Sequence, residues 1–434
     1  MKVTIRPGKL AGRILVPGSK SHTIRALLIA ALADGESLIT GALHSEDTAA
    51  CVGLLRSLGV RVDAEPAGEA LELQVFGSGP KLRPPTTTLD CANSGTTLYL
   101  ALSIAALQEF PVRFTGDAQL RRRSAGPLLA ALESAGARVD RENSDCVPLT
   151  VTGPLQGGRV TIECSTSQYL SSLLLAAPLT PLGMEITVPL LNERPYVEMT
   201  LSWLADQGVE IARDGWDLFE VTGGRSYHPF SRRIPADFSS ATFLLAAAAV
   251  TGSRLVLEGV EMTDSQGDKE VVHVLDRLGC NVMFDDHSVS ITGPGAAEGL
   301  AGGEIDLNAM PDALPALAVV GTCCREPLHL VSVPQAREKE TDRIAVMTRA
   351  LTDLGGRVEE LSDGMIVYPV RLTGGTVDSA GDHRVAMALT VAGLCATEPV
   401  TVTNAGVASV TYPGFYEALS ACGARITGPT VDRE

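Results

Sequence analysis

An α/β protein of two domains, each assembled from three β-α-β-α-β-β units, is what this sequence predicts, and three observations carry the prediction. The first is a small polar cluster that runs straight into an apolar helical stretch, six times along 434 residues. The clusters are Ser19-Lys20-Ser21, Asn93-Ser94-Gly95-Thr96, Thr166-Ser167-Gln168, Asp237-Phe238-Ser239-Ser240, Pro311-Asp312 and Asp382-His383-Arg384. They recur at intervals of about seventy residues, which marks an internal repeat over the whole chain. The second is a helix-like stretch closed by Gly with Val or Ile three residues on, at Gly59/Val62, Gly136/Val139, Gly208/Ile211, Gly279/Val282, Gly355/Val358 and Gly423/Ile426. Each such glycine ends an amphipathic helix and feeds a strand. The third is composition: 45% apolar residues with only 4% aromatic, the balance of a soluble, tightly packed α/β core.

The elements follow in order. Residues 3–16 alternate as a strand and end at Val16-Pro17-Gly18, after which the first capped helix begins. Alternating stretches at 159–163, 254–257, 288–292 and 400–403 read as strands between helices. The longest apolar runs, such as 241–250, are far short of a membrane span and read as buried core helices. A chain of this length exceeds one ordinary core. The basic stretch Ser231-Arg232-Arg233-Ile234-Pro235 and the segment Val16-Pro17-Gly18 are the expected crossing points. They give one domain of residues 18–235 and a second of 1–17 with 236–434.

A net charge of −16 argues against nucleic acid or an anionic membrane as partner. Nine cysteines without Cys-x-x-Cys spacing argue against a disulfide framework and a zinc site. The N-terminal residues lack the apolar segment of a signal peptide, so the expected location is the cytoplasm.

The helix starts carry the chemistry. A helix N-terminus presents unpaired N–H groups and partial positive charge, and so favours anions. Ser, Thr, Asn and Asp there serve as ordinary N-caps. Lys20, Gln168 and Arg384 are not cap residues, and their recurrence at equivalent positions points to a shared site for small anionic ligands.

Four stretches, Pro17-Gly18-Ser19-Lys20-Ser21 with Arg25, Asn93-Ser94-Gly95-Thr96, Lys339-Glu340-Thr341-Asp342-Arg343 and Asp382-His383-Arg384, together resemble the enolpyruvyl transferases, in order and with family-like spacing. The resemblance implies two three-repeat domains hinged around an interdomain cleft into which helix N-termini point. It implies transfer of the carboxyvinyl group of phosphoenolpyruvate to a hydroxyl of shikimate 3-phosphate, with release of phosphate, in a monomer that uses no metal and no cofactor. Residue by residue, Lys20, Gly95, Arg123, Gln168, Arg343 and Arg384 match the donor-binding positions. Lys20, Ser21, Arg25, Thr166, Ser167, Gln168, Asp312, Gln335 and Lys339 match those that hold the acceptor. Asp312 stands at the position of the carboxylate beside the reacting hydroxyl and Glu340 at that of the carbon acid/base, with Lys20 as a further catalytic group. On sequence alone, 339–343 also reads as a solvated helix face and Arg121-Arg122-Arg123 as surface charge. Bringing the matched cations together without an anion is expected to cost repulsion.

The match departs from the family at four positions. Glu193 stands where a serine commonly helps bind the acceptor's phosphate, and a carboxylate there calls for neutralisation by Arg194 or another cation. Tyr99 replaces an arginine, Ser124 a proline and Val410 a lysine. These changes leave open a paralogue with a different acceptor, or a ligand-binding relative without turnover.

Overall fold

The computed structural model describes residues 1–142, 144–294 and 299–428. Its α-helices, in chain order, begin with α1 (Lys20–Leu32), α2 (Glu46–Ser57), α3 (Gly95–Ala106), α4 (Gly126–Ser134), α5 (Ser167–Ala176) and α6 (Arg194–Asp206). They continue with α7 (Phe238–Thr251), α8 (Glu270–Arg277), α9 (Leu314–Thr322), α10 (Arg343–Asp353), α11 (His383–Cys395) and α12 (Phe415–Ala421). The odd-numbered helices follow the polar clusters and are buried on nearly every face, which makes them core helices. In α7 every residue from Phe238 to Ala249 is buried. The even-numbered helices have one apolar face. Helix α8 buries Val271, Val272, Val274 and Leu275 and leaves His273, Asp276 and Arg277 exposed.

All six predicted closing glycines, Gly59, Gly136, Gly208, Gly279, Gly355 and Gly423, have positive φ. At Gly59 the amide donates to the Arg56 carbonyl at 3.0 Å and the next amide, of Val60, to the Leu55 carbonyl at 3.0 Å. This paired bonding satisfies the last carbonyls of the helix and needs a left-handed residue, which glycine adopts without steric cost.

Six four-stranded sheets accompany these helices among the described residues. The plainest is that of the third repeat. Strand Gly158–Cys164 runs parallel to Met184–Leu191, which pairs antiparallel with Leu218–Val221, and that strand pairs antiparallel with Ile211–Asp214. The parallel pair is joined through the buried helix α5 and the antiparallel pair by a tight turn, as the two geometries require.

The chain divides into two compact units, Gly18–Ile234 and Met1–Pro17 with Pro235–Glu434, so Pro235 groups with the second rather than the first. Each has a separate hydrophobic core. In Gly18–Ile234 it contains Leu27, Leu102, Leu174 and Trp203, and in the other Phe243, Leu317 and Leu389. A fully buried side chain of this kind contributes about 1.5–3 kcal/mol.

The single strand expected over 3–16 is two strands in different sheets. Lys2–Arg6 lies between Val400–Thr403 and Arg425–Thr427 in the sheet of the last repeat. Ala11–Leu15 pairs parallel with Arg254–Glu258 in the sheet of the fourth repeat. The strand that precedes the fourth helix start, Ser231–Arg233, pairs instead with Asp34–Leu43 of the first repeat. The first and fourth repeats have thus exchanged their leading strands. All nine cysteines are free thiols. Among the described residues no helix is long and apolar enough to cross a membrane.

Candidate active site

In the unit Gly18–Ile234, three helix starts present the predicted residues. At α3, Ser94 caps the helix by accepting from the Thr97 amide, and Gly95 opens the first turn. A Cβ built on Gly95 would stand 3.0 Å from an Arg123 guanidinium nitrogen and 3.9 Å from Gln168 Oε1, so the absence of a side chain lets these two groups approach the helix start. Arg123 is oriented by donating to Asn93 Oδ1 at 2.8 Å. Gln168 Oε1 is buried without a hydrogen bond among the described residues. Arg121 and Arg122 are exposed, which is the surface-charge alternative, while Arg123 turns inward.

At α1, Ser19 makes no side-chain cap bond, and its Oγ is buried without a partner among the described residues. The half-buried ammonium of Lys20 pairs with the buried Asp47 carboxylate of α2 at 3.2 Å. Arg25, 1% exposed, braces α1 against α5 and α6. It donates to Thr200 Oγ1 at 2.8 Å, the Ser21 carbonyl at 3.0 Å, Ser171 Oγ at 3.3 Å and the Tyr196 carbonyl at 3.1 Å. These partners are neutral, and burial pulls the guanidinium pKa down to about 10, against a smaller opposing influence of Tyr196.

At α5, Thr166 caps the helix. Oε2 of Glu193 accepts from the Ser167 amide at 3.1 Å, Ser167 Oγ at 2.8 Å and Thr166 Oγ1 at 3.1 Å. Glu193 is 2% exposed and is itself the residue before α6, with φ 59° in the left-handed region. Its carboxylate therefore satisfies an orphan amide of α5 and sits at the positive end of that helix. Arg194, the expected neutralising cation, is exposed and sets its guanidinium 5.6 Å over the Trp216 ring. Tyr99 packs edge-on against Tyr169 at 5.3 Å, and both hydroxyls donate to the Ser124 carbonyl.

In the other unit the centre is Arg343, 1% exposed at the start of α10. Its three nitrogens donate to Asp312 Oδ1 at 2.6 Å, Glu340 Oε2 at 2.6 Å and Asp382 Oδ2 at 2.7 Å. Arg384 donates to the second oxygen of Asp312 at 2.8 Å. Burial alone would lower the pKa of Arg343, but the attraction of Asp382, Glu340 and Asp312 outweighs it and holds the pKa above its ordinary value. Asp382 also caps α11 through the amides of Arg384 and Val385. Residues 339–342 precede α10 as a turn, so the run is not a solvated helix face. Lys339 closes the short 3-10 turn Pro334–Glu338. Gln335 donates to the Asn308 carbonyl, and its Oε1 is buried without a partner among the described residues.

The structure thus gathers Gly95, Arg123 and Gln168 at one helix start, Thr166 and Ser167 at another, and Asp312, Glu340, Arg343 and Arg384 around one guanidinium. Lys20, Arg343 and Arg384 each hold a carboxylate. Sequence reasoning missed Asp47 and Asp382 as those partners. For Asp382, the N-cap position was a signal that explained the residue too early, since one carboxylate both caps and pairs.

Two three-repeat units of this topology, with polar residues at the starts of their buried helices, define the enolpyruvyl transferase class. The fold matches the enolpyruvyl transferase NikO from Streptomyces tendae with a TM-score of 0.75 at 20% identity, over 98% of each chain. It matches the EPSP synthase of Acinetobacter baumannii with a TM-score of 0.82 at 27% identity, over 98% of this chain and 100% of the other. The family model for EPSP synthase (3-phosphoshikimate 1-carboxyvinyltransferase) matches residues 5–419, and the chain belongs to that family. A 3-phosphoshikimate 1-carboxyvinyltransferase of Acetivibrio thermocellus is 44% identical over 98% of this chain and 99% of its own length. One from Halobacterium salinarum is 39% identical over 99% and 100%.

Proposed function

We propose that this enzyme moves the carboxyvinyl group of phosphoenolpyruvate to a hydroxyl of shikimate 3-phosphate and releases phosphate. Beyond family membership, one arrangement supports the reading: Asp312 and Glu340, the two carboxylates the reaction needs, share the buried guanidinium of Arg343. In this reading Asp312 takes the proton of the attacking hydroxyl, and Glu340, once protonated, delivers a proton to the donor's methylene carbon. The hydroxyl oxygen bonds to the adjacent carbon to give a tetrahedral intermediate. Glu340 then removes a proton from the new methyl group as the carbon–oxygen bond to phosphate breaks.

Lys20, Gly95, Arg123, Gln168, Arg343 and Arg384 hold the donor in this reading, and Lys20 adds charge at the reacting centre. Ser21, Arg25, Thr166, Ser167, Gln168, Asp312, Gln335 and Lys339 hold the acceptor. An anionic donor competes with Asp312 and Glu340 for Arg343 and Arg384, and a carboxylate that loses its cation becomes a stronger base. Donor binding thereby activates both groups. The units Gly18–Ile234 and Met1–Pro17 with Pro235–Glu434 each supply part of the set. We further take the enzyme to be a cytoplasmic monomer.

The test is phosphate release from phosphoenolpyruvate with shikimate 3-phosphate, unphosphorylated shikimate and a UDP-sugar as acceptors. Release with shikimate 3-phosphate alone is expected. Release with another acceptor and none with shikimate 3-phosphate overturns the reading. A second reading, transfer to an acceptor without phosphate, is favoured by the Glu193 carboxylate at the α5 start.

A further inference from the structure

Glu193 stands where the family commonly places a serine that helps bind the acceptor's phosphate, and its carboxylate occupies donors of Thr166 and Ser167, two residues that the reading above gives to the acceptor. One oxygen, Oε2, accepts from the Ser167 amide, Ser167 Oγ and Thr166 Oγ1. The side chain reaches them from the N-cap of a different helix, α6, with its backbone in the left-handed region and 2% of its surface exposed. Two anions cannot share three fixed donors at this range, since each excludes the other by charge and by the finite number of N–H and O–H groups. Oε2 already accepts three bonds, so it has little capacity left for a ligand hydroxyl or amine. It acts by occupying the place.

We propose that Glu193 is a resident competitor for the acceptor's phosphate, a specificity-determining side chain that fills the α5 start in the ligand-free protein and is displaced when a phosphorylated acceptor binds. The proposal rests on the acceptor reading given under the proposed function. A phosphate brings more charge and more acceptor oxygens than one carboxylate, so it can take the donors. A ligand without phosphate leaves Glu193 where it is. The side chain thereby lowers affinity for phosphorylated acceptors without touching that for their unphosphorylated forms.

The experiment is calorimetric titration of shikimate 3-phosphate, inorganic phosphate and unphosphorylated shikimate into the full chain and its Glu193→Ser and Glu193→Gln variants, without donor. Both variants should bind shikimate 3-phosphate and inorganic phosphate about tenfold more tightly, the scale of one charge-assisted hydrogen bond. Binding of shikimate should not change. The glutamine variant keeps the length of the side chain and reads the charge alone if the serine variant fails to fold. Unchanged or weaker phosphate binding by the folded variants overturns the proposal, as does equal tightening for unphosphorylated shikimate. Failure of the acceptor reading shows separately, as absent turnover with shikimate 3-phosphate, while the inorganic phosphate titration still reports on Glu193.

Discussion

Arg25 and Arg343 are both 1% exposed, and each belongs to a helix that carries candidate site residues, yet their surroundings are opposite. Arg25 donates to two hydroxyls and two carbonyls, and burial depresses its pKa. Arg343 is ringed by three carboxylates and held above its usual pKa. Hydrogen bonds alone satisfy the donors of a buried guanidinium but leave its charge uncompensated. Arg25 therefore gains from any anion that arrives, whereas Arg343 gains only by exchanging one anion for another. Arg25 recruits ligand charge and Arg343 trades for it.

The contrast can be broken at several places, beginning with the largest effect. Asp312→Ala and Glu340→Ala should each lower turnover by about 10²–10⁴-fold, the usual scale for a positioned acid or base. Solvent-deuterium exchange into the donor's methylene group should fall in Glu340→Ala, and unchanged exchange would remove that role from Glu340. Next comes stability. Arg343→Met leaves Asp312, Glu340 and Asp382 without their common partner. It should cost about 3–5 kcal/mol in urea unfolding, as expected when one member of a buried ionic cluster is removed.

Arg25→Met removes a charge that has no carboxylate to strand, so its effect should fall on binding. The acceptor's KM should rise by the equivalent of about 1–3 kcal/mol, with a smaller change in unfolding free energy. Similar destabilisation by Arg25→Met and Arg343→Met would erase the distinction between recruiting and exchanging. The smallest effect compares two serines. Ser94→Ala loses a cap bond to the Thr97 amide and should cost about 1 kcal/mol. Ser19 makes no such bond and its hydroxyl is buried without a partner among the described residues, so Ser19→Ala should not lower stability.

The repeat was legible because its signals are local. A cap residue and a closing glycine act within one turn of chain, so Ser94, Thr166, Asp237 and Asp382 cap, and Gly59 and its five counterparts close, where the pattern placed them. The division of residues 3–16 also had a local sign, the Pro7-Gly8 pair between the two strands, which a strand pattern alone overrode. The destinations of those strands had none. Pairing Lys2–Arg6 with Val400–Thr403 depends on contacts almost the whole chain apart. The same holds for the ion pairs of the candidate site. Lys20, Arg343 and Arg384 could be picked out by type and spacing, but that Asp47 and Asp382 hold two of them is a fact of tertiary packing. Glu193 could be seen to break the pattern, and only the fold shows its carboxylate on the α5 start.

The placement of Lys2–Arg6 in the sheet of the last repeat sets an order of assembly on the ribosome. The unit Gly18–Ile234 is one unbroken stretch and can close as soon as it has emerged. Lys2–Arg6 is an inner strand whose neighbours Val400–Thr403 and Arg425–Thr427 are made about four hundred residues later. At about 5–20 residues per second, that opening strand waits roughly 20–80 s with both edges unpaired. It alternates buried Val3 and Ile5 with Lys2, Thr4 and Arg6, and the flanking charges guard a nascent edge against pairing with a neighbouring chain.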